Sequence, residues 1–117
     1  MKSNRLTKKS VYLVDLASGS NMNLLPLSIG MIGSYCAQDP DLRAAYDFHY
    51  QFLYQDFDKK IREMSAPSVI GFACYIWNIR GSLRMAQMAK AMYPDALIVL
   101  GGYSIPKEPS RISQFFS

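Results

Sequence analysis

Three short and almost wholly apolar runs, separated by segments with helical spacing, constrain the fold of this chain more than any other feature. The runs are residues 10–16, 68–74 and 96–100. Runs of this length that are rich in branched side chains predict buried strands. A fourth segment, 44–52, alternates apolar and polar side chains, which predicts a half-buried strand at a sheet edge. Because helical segments separate the four strands, the sequence predicts a parallel sheet with helices on both faces.

The segments between the strands predict amphipathic helices. The side chains expected to face the core are Leu27, Met31, Ile32, Tyr35 and Cys36 in the first helix, Phe57, Ile61 and Met64 in the second, and Leu83, Ala86, Ala89 and Met92 in the third. Residues 38–42, Gln-Asp-Pro-Asp-Leu, predict a turn. Taken in order, the elements predict a flavodoxin-like, doubly wound α/β domain of the Rossmann-like kind.

The length of 117 residues is enough for one domain. We expect residues 1–9 to form a basic tail and residues 10–117 to form the domain. Flavodoxin-like domains of this size have a fifth strand and a last helix, whereas the strand pattern here stops after the fourth strand. Residues 106–117 predict one more helix, with Ile112, Phe115 and Phe116 as its apolar stripe. We therefore expect the domain to be incomplete on its C-terminal side.

The net charge of +4 comes from the N-terminal tail, which carries four of the thirteen basic residues: Lys2, Arg5, Lys8 and Lys9. The other nine are balanced by nine acidic residues, so no basic stripe continues into the domain and we expect no nucleic-acid partner. Since the sequence has no apolar run of about 18 residues and no secretion signal, we expect a cytoplasmic protein without a membrane partner. The two cysteines form no CxxC pair, which predicts small buried side chains in a reducing compartment.

A doubly wound sheet binds its ligand at the carboxyl ends of its strands, which here are the loops 17–25, 75–79 and 101–104. The third strand lacks the terminal aspartate of a phosphoryl acceptor, and the first loop lacks the GxGxxG turn of a dinucleotide site. The first loop is faintly similar to the phosphate loop of flavodoxins, but residues 23–25 separate it from the helix start. The sole histidine, His49, is predicted on the polar face of the edge strand, so we expect neither a metal site nor a catalytic triad.

The second and third loops each allow two interpretations. Tyr75 and Trp77 either cap the core or form a wall for a large flat ligand, and Asn78 can cap the following helix. Gly101 and Gly102 either permit a tight turn or let a ligand lie against the backbone.

Three motifs together resemble the N-terminal cobalamin-binding domain of cobalamin-dependent radical SAM proteins. They are Leu-Pro-Leu-Ser-Ile-Gly at 25–30, Ile-Gly-Phe-Ala-Cys-Tyr-Ile-Trp-Asn at 70–78, and Tyr-Pro-Asp-Ala-Leu-Ile-Val-Leu-Gly-Gly at 93–102. The resemblance extends over about residues 11–109. It implies that cobalamin lies across the carboxyl edge of the sheet, with its nucleotide tail buried beside glycine-rich backbone. The cofactor-binding residues expected on this basis are Ser18, Gly19, Asn21, Leu25, Leu27, Tyr75, Trp77, Asn78, Gly101, Gly102, Tyr103 and Ser104.

The resemblance also implies that the radical chemistry belongs to another domain of the protein. In the family, a downstream barrel holds a [4Fe-4S] cluster and S-adenosylmethionine, and the enzyme methylates unactivated carbon or performs related radical chemistry. This chain has no CxxxCxxC motif to hold a cluster. We therefore expect it to be a binding module, with the radical SAM domain as its partner. The alternative is a non-catalytic flavodoxin-like domain that binds a flavin or another small ligand, or that acts as a sensor.

One departure concerns the ligand on cobalt. The mutase and methionine-synthase type of cobalamin module has an Asp-x-His-x-x-Gly stretch in its first loop. Gly30 fits the glycine, but Leu25 and Leu27 stand roughly where the acid and the histidine would be. Ala73 likewise stands where that type has a serine hydroxyl, although Gly101-Gly102 fits its later Gly-Gly. This departure resembles the radical SAM branch and implies cobalamin without a histidine on cobalt.

Overall fold

The computed structural model describes residues 8–17, 27–53 and 56–115. Its elements in chain order are β1 (Lys9–Ala17), α1 (Leu27–Ala37), α2 (Pro40–Ala45), β2 (Tyr46–Leu53), α3 (Phe57–Arg62), β3 (Pro67–Ala73), α4 (Ile79–Met92), β4 (Leu97–Gly101) and α5 (Pro109–Phe115). The four described strands form one parallel sheet in the order β2-β1-β3-β4. This α/β, flavodoxin-like arrangement confirms the predicted fold class.

The positions of the strands in the sheet follow their composition only in part. β1 and β3 lie in the centre, and β2 lies at one edge, as its alternating pattern predicts. β4 lies at the other edge of the described sheet, with Leu97 and Val99 exposed. The prediction of a buried fourth strand is therefore wrong for the described residues, because none of them covers these two side chains.

The two faces of the sheet have separate cores. The larger core lies under α3 and α4 and includes Tyr12, Val14, Leu16, Ile70, Phe72, Ile61, Met64 and Met85. The smaller core lies under α1, where Val11 and Leu13 pack with Ile29. Side chains alternate between the two faces along each strand, so β1 contributes to both cores.

Residues 38–42 are not a simple turn, because the short helix α2 begins at Pro40. The Asp39 carboxylate accepts hydrogen bonds from the backbone N–H groups of Asp41 at 2.9 Å and Leu42 at 3.3 Å. This cap, followed by a proline that needs no donor in the first turn, favours a helix start. Ala44 consequently belongs to α2 and not to the edge strand.

The inner face of α1 differs from the prediction. Ile29 is buried under this helix, whereas Met31, Ile32 and Tyr35 are exposed. Gly33 is buried, and a Cβ at this position would overlap the Tyr50 side chain of β2. Because the glycine side of α1 lies against the sheet, the predicted apolar residues are turned outward.

The inner side of α3 is confirmed, since Ile61 and Met64 are buried and Phe57 packs against them in part. In α4 the prediction is partly wrong, because Leu83 is only half-buried and Met92 is exposed. The buried residues of α4 are Gly81, Ser82, Met85, Ala86 and Ala89. The small residues on this side let the helix backbone approach the sheet closely, which fixes the rotation of the helix.

The two cysteines are free thiols, with Cys74 buried and Cys36 only half-buried. Burial raises the pKa of the Cys74 thiol, which keeps it protonated as an apolar packing group. No helix in the described ranges is long and apolar enough to cross a membrane.

Candidate functional site

A cavity of about 410 Å³ lies beside α1 on the face of the sheet that carries the smaller core. Ile29 and Ile32 line it from α1, and residues of all four strands line it from the sheet. Among the described lining residues, only Ser28 and Tyr75 have polar side-chain atoms. An apolar cavity of this size with few polar groups suits the burial of a small flat or elongated organic group.

Small residues on β3 and β4 keep the sheet side of the cavity open. Gly71 lies in the middle of β3, and a Cβ there would come within 3.2 Å of Leu13 Cδ2. Gly101 ends β4, and a Cβ there would meet nothing within 4 Å. Backbone at Gly101 is therefore accessible from the cavity, and this space is available to a bound molecule.

Gly102 has a different reason to be glycine. Its φ of +110° is one that other residues rarely adopt, and a Cβ there would overlap the Cys74 carbonyl oxygen. The same turn is held to β3, because Cys74 N–H donates to the Gly101 carbonyl at 2.7 Å and Ser104 N–H donates to the Cys74 carbonyl at 3.3 Å. The geometry at Gly102 therefore fits the tight-turn interpretation, while the contact of a ligand with the open backbone at Gly101 stays a prediction.

Tyr75 and Trp77 form a stacked pair at the carboxyl end of β3. Their ring centroids are 4.8 Å apart and the ring planes differ by 15°. Tyr75 is half-buried and lines the cavity, whereas Trp77 is 55% exposed. Trp77 therefore does not cap the core, and the pair presents an aromatic surface beside the cavity.

Asn78 is 1% exposed and holds this corner of the site together. Its Oδ1 accepts from the Tyr75 N–H at 2.8 Å, and its Nδ2 donates to the carbonyls of Leu16 and Ala73, both at 3.1 Å. The predicted side-chain cap of α4 is wrong, because Asn78 begins the helix without a side-chain capping bond. Its amide is used to join the ends of β1 and β3 to the Tyr75 loop.

Asp15, near the end of β1, is not among the residues that the sequence predicts to bind the cofactor. Ser28 Oγ donates to its Oδ2 at 3.3 Å, and Ser28 also lines the cavity. Burial raises the pKa of Asp15, an effect that the Ser28 hydrogen bond partly offsets. The only signal available in the sequence was a carboxylate at the end of an otherwise apolar strand.

The remaining predicted residues fall at varied distances from the cavity. Ser18, Gly19, Asn21 and Leu25 lie outside the described residues, and only the backbone of Leu27 is described, at the start of α1. Tyr103 is almost wholly exposed and Ser104 is half-buried, both in the turn after β4. The structure thus brings Tyr75, Gly101 and Gly102 to one cavity, with Trp77 stacked beside it.

His49 is exposed on β2, as predicted. Its ring stacks on that of Tyr12, its register partner on β1, with centroids 4.5 Å apart. Tyr12 belongs to the core under α3 and α4, so His49 lies on the sheet face opposite the cavity. Within the described ranges, no group of three or more His, Cys, Asp or Glu side chains could hold a metal ion.

Comparison with known proteins adds a family relationship. The chain is 34% identical over 104 residues to the cobalamin-dependent radical SAM methyltransferase TokK of Streptomyces tokunonensis. It is 33% identical over 110 residues to the 2-(S-pantetheinyl)-carbapenam-3-carboxylate methyltransferase of Streptantibioticus cattleyicolor. The chain is homologous to one segment of cobalamin-dependent radical SAM methyltransferases.

The matches cover 88% and 93% of the chain but only 15% of each enzyme. The chain thus spans a small part of the length of the curated relatives it matches, which is consistent with an N-terminal cobalamin-binding domain. No protein-family model matches the chain.

Proposed function

We propose that the chain is the cobalamin-binding module of a radical SAM methyltransferase. The observation that carries this proposal is the apolar cavity on the α1 face of the sheet, which extends to the carboxyl ends of β3 and β4 at Tyr75 and Gly101, in a chain homologous to such enzymes. A doubly wound sheet binds ligands at this end of its strands. Bound there, cobalamin would supply a cobalt centre able to carry a methyl group.

The residues of the cavity fit the nucleotide tail of cobalamin. An aromatic base and its sugar suit a volume of about 410 Å³ with apolar walls, whereas the much larger corrin ring does not enter it. The open backbone at Gly101 gives the tail a surface without side chains. Ser28 offers a hydroxyl at the α1 side, where its hydrogen bond to Asp15 fixes its orientation.

The corrin ring would lie outside the cavity, over the carboxyl ends of the strands. The exposed indole of Trp77, held by its stack on Tyr75, offers a flat apolar surface for it. The turn at 103–104 and the first loop, with Ser18, Gly19, Asn21 and Leu25, would complete this surface. Asn78 would act by positioning the Tyr75–Trp77 pair and not by touching the cofactor.

We propose that cobalt receives no imidazole from the residues that the structure describes. His49 lies on the opposite face of the sheet from the cavity and stacks on Tyr12. Leucines at 25 and 27 would leave the lower face of the corrin apolar. A histidine ligand also needs a partner that orients its second nitrogen, and Leu25 stands roughly where that acidic partner would be in the sequence.

We also propose that a further strand beside β4, followed by a last helix, completes the domain. Leu97 and Val99 are apolar and exposed, and their register partners Val69 and Gly71 line the cavity. Exposed edge strands of this kind are normally paired or covered. The [4Fe-4S] cluster and S-adenosylmethionine would belong to a separate radical SAM domain, the module's partner in catalysis.

Binding of hydroxocobalamin to one glycine variant and one control variant tests the proposal. A Cβ at Gly101 would meet nothing within 4 Å in the domain, and Gly101 lines the cavity. We expect Gly101→Val to weaken binding by about tenfold or more, which is about 1.4 kcal/mol. Gln87→Ala, at an exposed position of α4 on the opposite face of the sheet, should bind like the parent.

Equal binding by Gly101→Val and the parent would contradict the assigned cavity. Binding of flavin mononucleotide in place of hydroxocobalamin would instead favour the flavodoxin-like alternative.

A further inference from the structure

The outer face of α1, formed by Met31, Ile32 and Tyr35, is unusual for a helix surface. These side chains are 69%, 51% and 77% exposed, respectively. The helix has no charged residue between Leu27 and Ala37. By contrast, α3 and α4 both carry lysine and arginine.

Apart from Ser28 and Ser34, the side chains of α1 are apolar or small, and a helix that is apolar on two sides is normally packed on both. Ile29 of α1 packs against Val11 and Leu13 of the sheet, so the inner side of the helix is already covered. The α1 outer face is therefore a candidate docking surface, and the described residues do not cover it.

We propose that the α1 outer face is an interdomain contact, covered by another domain of the same polypeptide in the full-length enzyme. In both relatives the aligned segment is only 15% of the protein, so most of each polypeptide lies outside it. The inference rests on this relationship and on the exposed side chains. It does not depend on cobalamin binding.

The size of the surface favours a tethered domain over a second copy of the chain. Three such side chains offer on the order of 400 Å², within the range of the largest apolar patch on a typical monomer. A stable complex of separate chains buries about 800 Å² per partner, roughly twice this area. A domain in the same polypeptide needs less area, because the linker keeps its local concentration in the millimolar range.

The composition of α1 also disfavours a lipid surface as the occupant. Helices that lie on membranes carry lysine and arginine on their polar side, and α1 has neither. The occupant that matches is therefore an apolar protein surface.

The contact would reach the cofactor cavity directly. Ile32 is part of the α1 outer face and also lines the cavity. A domain packed on α1 would thus contact one wall of the cavity without any intervening layer. Docking of that domain would then restrict the movement of the cavity wall.

Methionine oxidation in the full-length polypeptide tests the inference, with other methionines of this chain as internal standards. Met92 is exposed, whereas Met64 and Met85 are buried. With hydrogen peroxide and mass spectrometry of the peptides, we expect Met31 to oxidise at about one tenth of the rate of Met92 or still more slowly, approaching the rate of Met64. Met31 would then oxidise more slowly than Met92, although it is the more exposed of the two within the domain.

A charged substitution and its control separate an interdomain contact from other sources of protection. Tyr35→Lys should raise the oxidation rate of Met31 towards that of Met92. Gln87→Lys, at an exposed position of α4, should leave it unchanged. The inference is overturned if Met31 oxidises as fast as Met92 in the parent or stays protected in Tyr35→Lys. Protection that disappears on dilution would indicate a second copy and would also overturn it.

Cobalamin content, read from absorbance on the same samples, keeps the two proposals distinguishable. A parent protein that protects Met31 but retains no cobalamin contradicts the proposed function and supports the interdomain contact. A protein that retains cobalamin but leaves Met31 unprotected supports the proposed function and contradicts the interdomain contact.

Discussion

Replacing Asn78 with alanine should destabilise the domain by about 4–6 kcal/mol. Three hydrogen bonds are lost, at 2.8, 3.1 and 3.1 Å, and each contributes about 1 kcal/mol net. The substitution also leaves the Leu16 carbonyl in the core without this donor, at a further cost of about 1–3 kcal/mol. Domains of this size are stable by only about 5–15 kcal/mol, so the variant would lose a large share.

Urea denaturation of the intact protein measures this loss, as a lower midpoint with an unchanged slope. Trp77→Ala is a useful neighbour control, because its side chain is more than half exposed and its removal should cost only about 1 kcal/mol of stability. A change for Asn78→Ala within about 0.5 kcal/mol, the usual range for surface positions, would refute the assignment of Asn78 as the link between the strand ends.

Three further predictions concern the cofactor and the carboxylate beside the cavity. Trp77→Ala should weaken hydroxocobalamin binding by about tenfold in equilibrium dialysis through loss of aromatic contact area, and unchanged affinity would exclude Trp77 from the site. Electron paramagnetic resonance of the Co(II) complex should show no splitting from a protein nitrogen, in the parent or in His49→Ala, whereas splitting abolished by His49→Ala would contradict the absence of an imidazole ligand. Because the native pKa of Asp15 is raised above 3.8, its contribution to stability is full below that pH and is lost as pH rises through the native pKa. Asp15→Asn should therefore gain stability over the parent at pH 7 but not at low pH in urea titrations, and a gain independent of pH would refute this.

The sheet could be predicted from the sequence because its signals are local. Short apolar runs and the alternation in β2 are properties of consecutive residues, and they place β1, β3 and β2 correctly. The burial of β4 could not be predicted in the same way. An apolar run indicates that a strand can be covered on both faces, but the cover comes from other parts of a protein. Leu97 and Val99 are exposed because none of the described residues covers them.

For the candidate site, the sequence indicates which loops meet at the cavity but does not indicate what each residue in them does. The aromatic and glycine residues at 75–77 and 101–102 stood out because their types are unusual at strand ends. Asn78 was predicted as a helix cap because that is what asparagine does locally. Its actual partners, Leu16 and Ala73, become neighbours only through the sheet, so no local pattern could reveal them. Gly101 and Gly102 are likewise adjacent in sequence, and only the position of Cys74 distinguishes their roles.

The wrong assignment of the inner face of α1 has a physical cause that bears on the interdomain contact. Periodicity reveals an inner face only when the opposite face is polar, and α1 has no charged residue to mark one. The segment has two apolar sides, Ile29 on one and Met31 with Tyr35 on the other, and the helical spacing of the larger set indicated the wrong one. Gly33 decided the rotation, because only its side can approach Tyr50. A helix that packs on a sheet with one side and on another domain with the other would have this same uniform composition. The absence of a charged face in α1 made its inner face unpredictable, and the same absence is expected of a helix that packs between two partners.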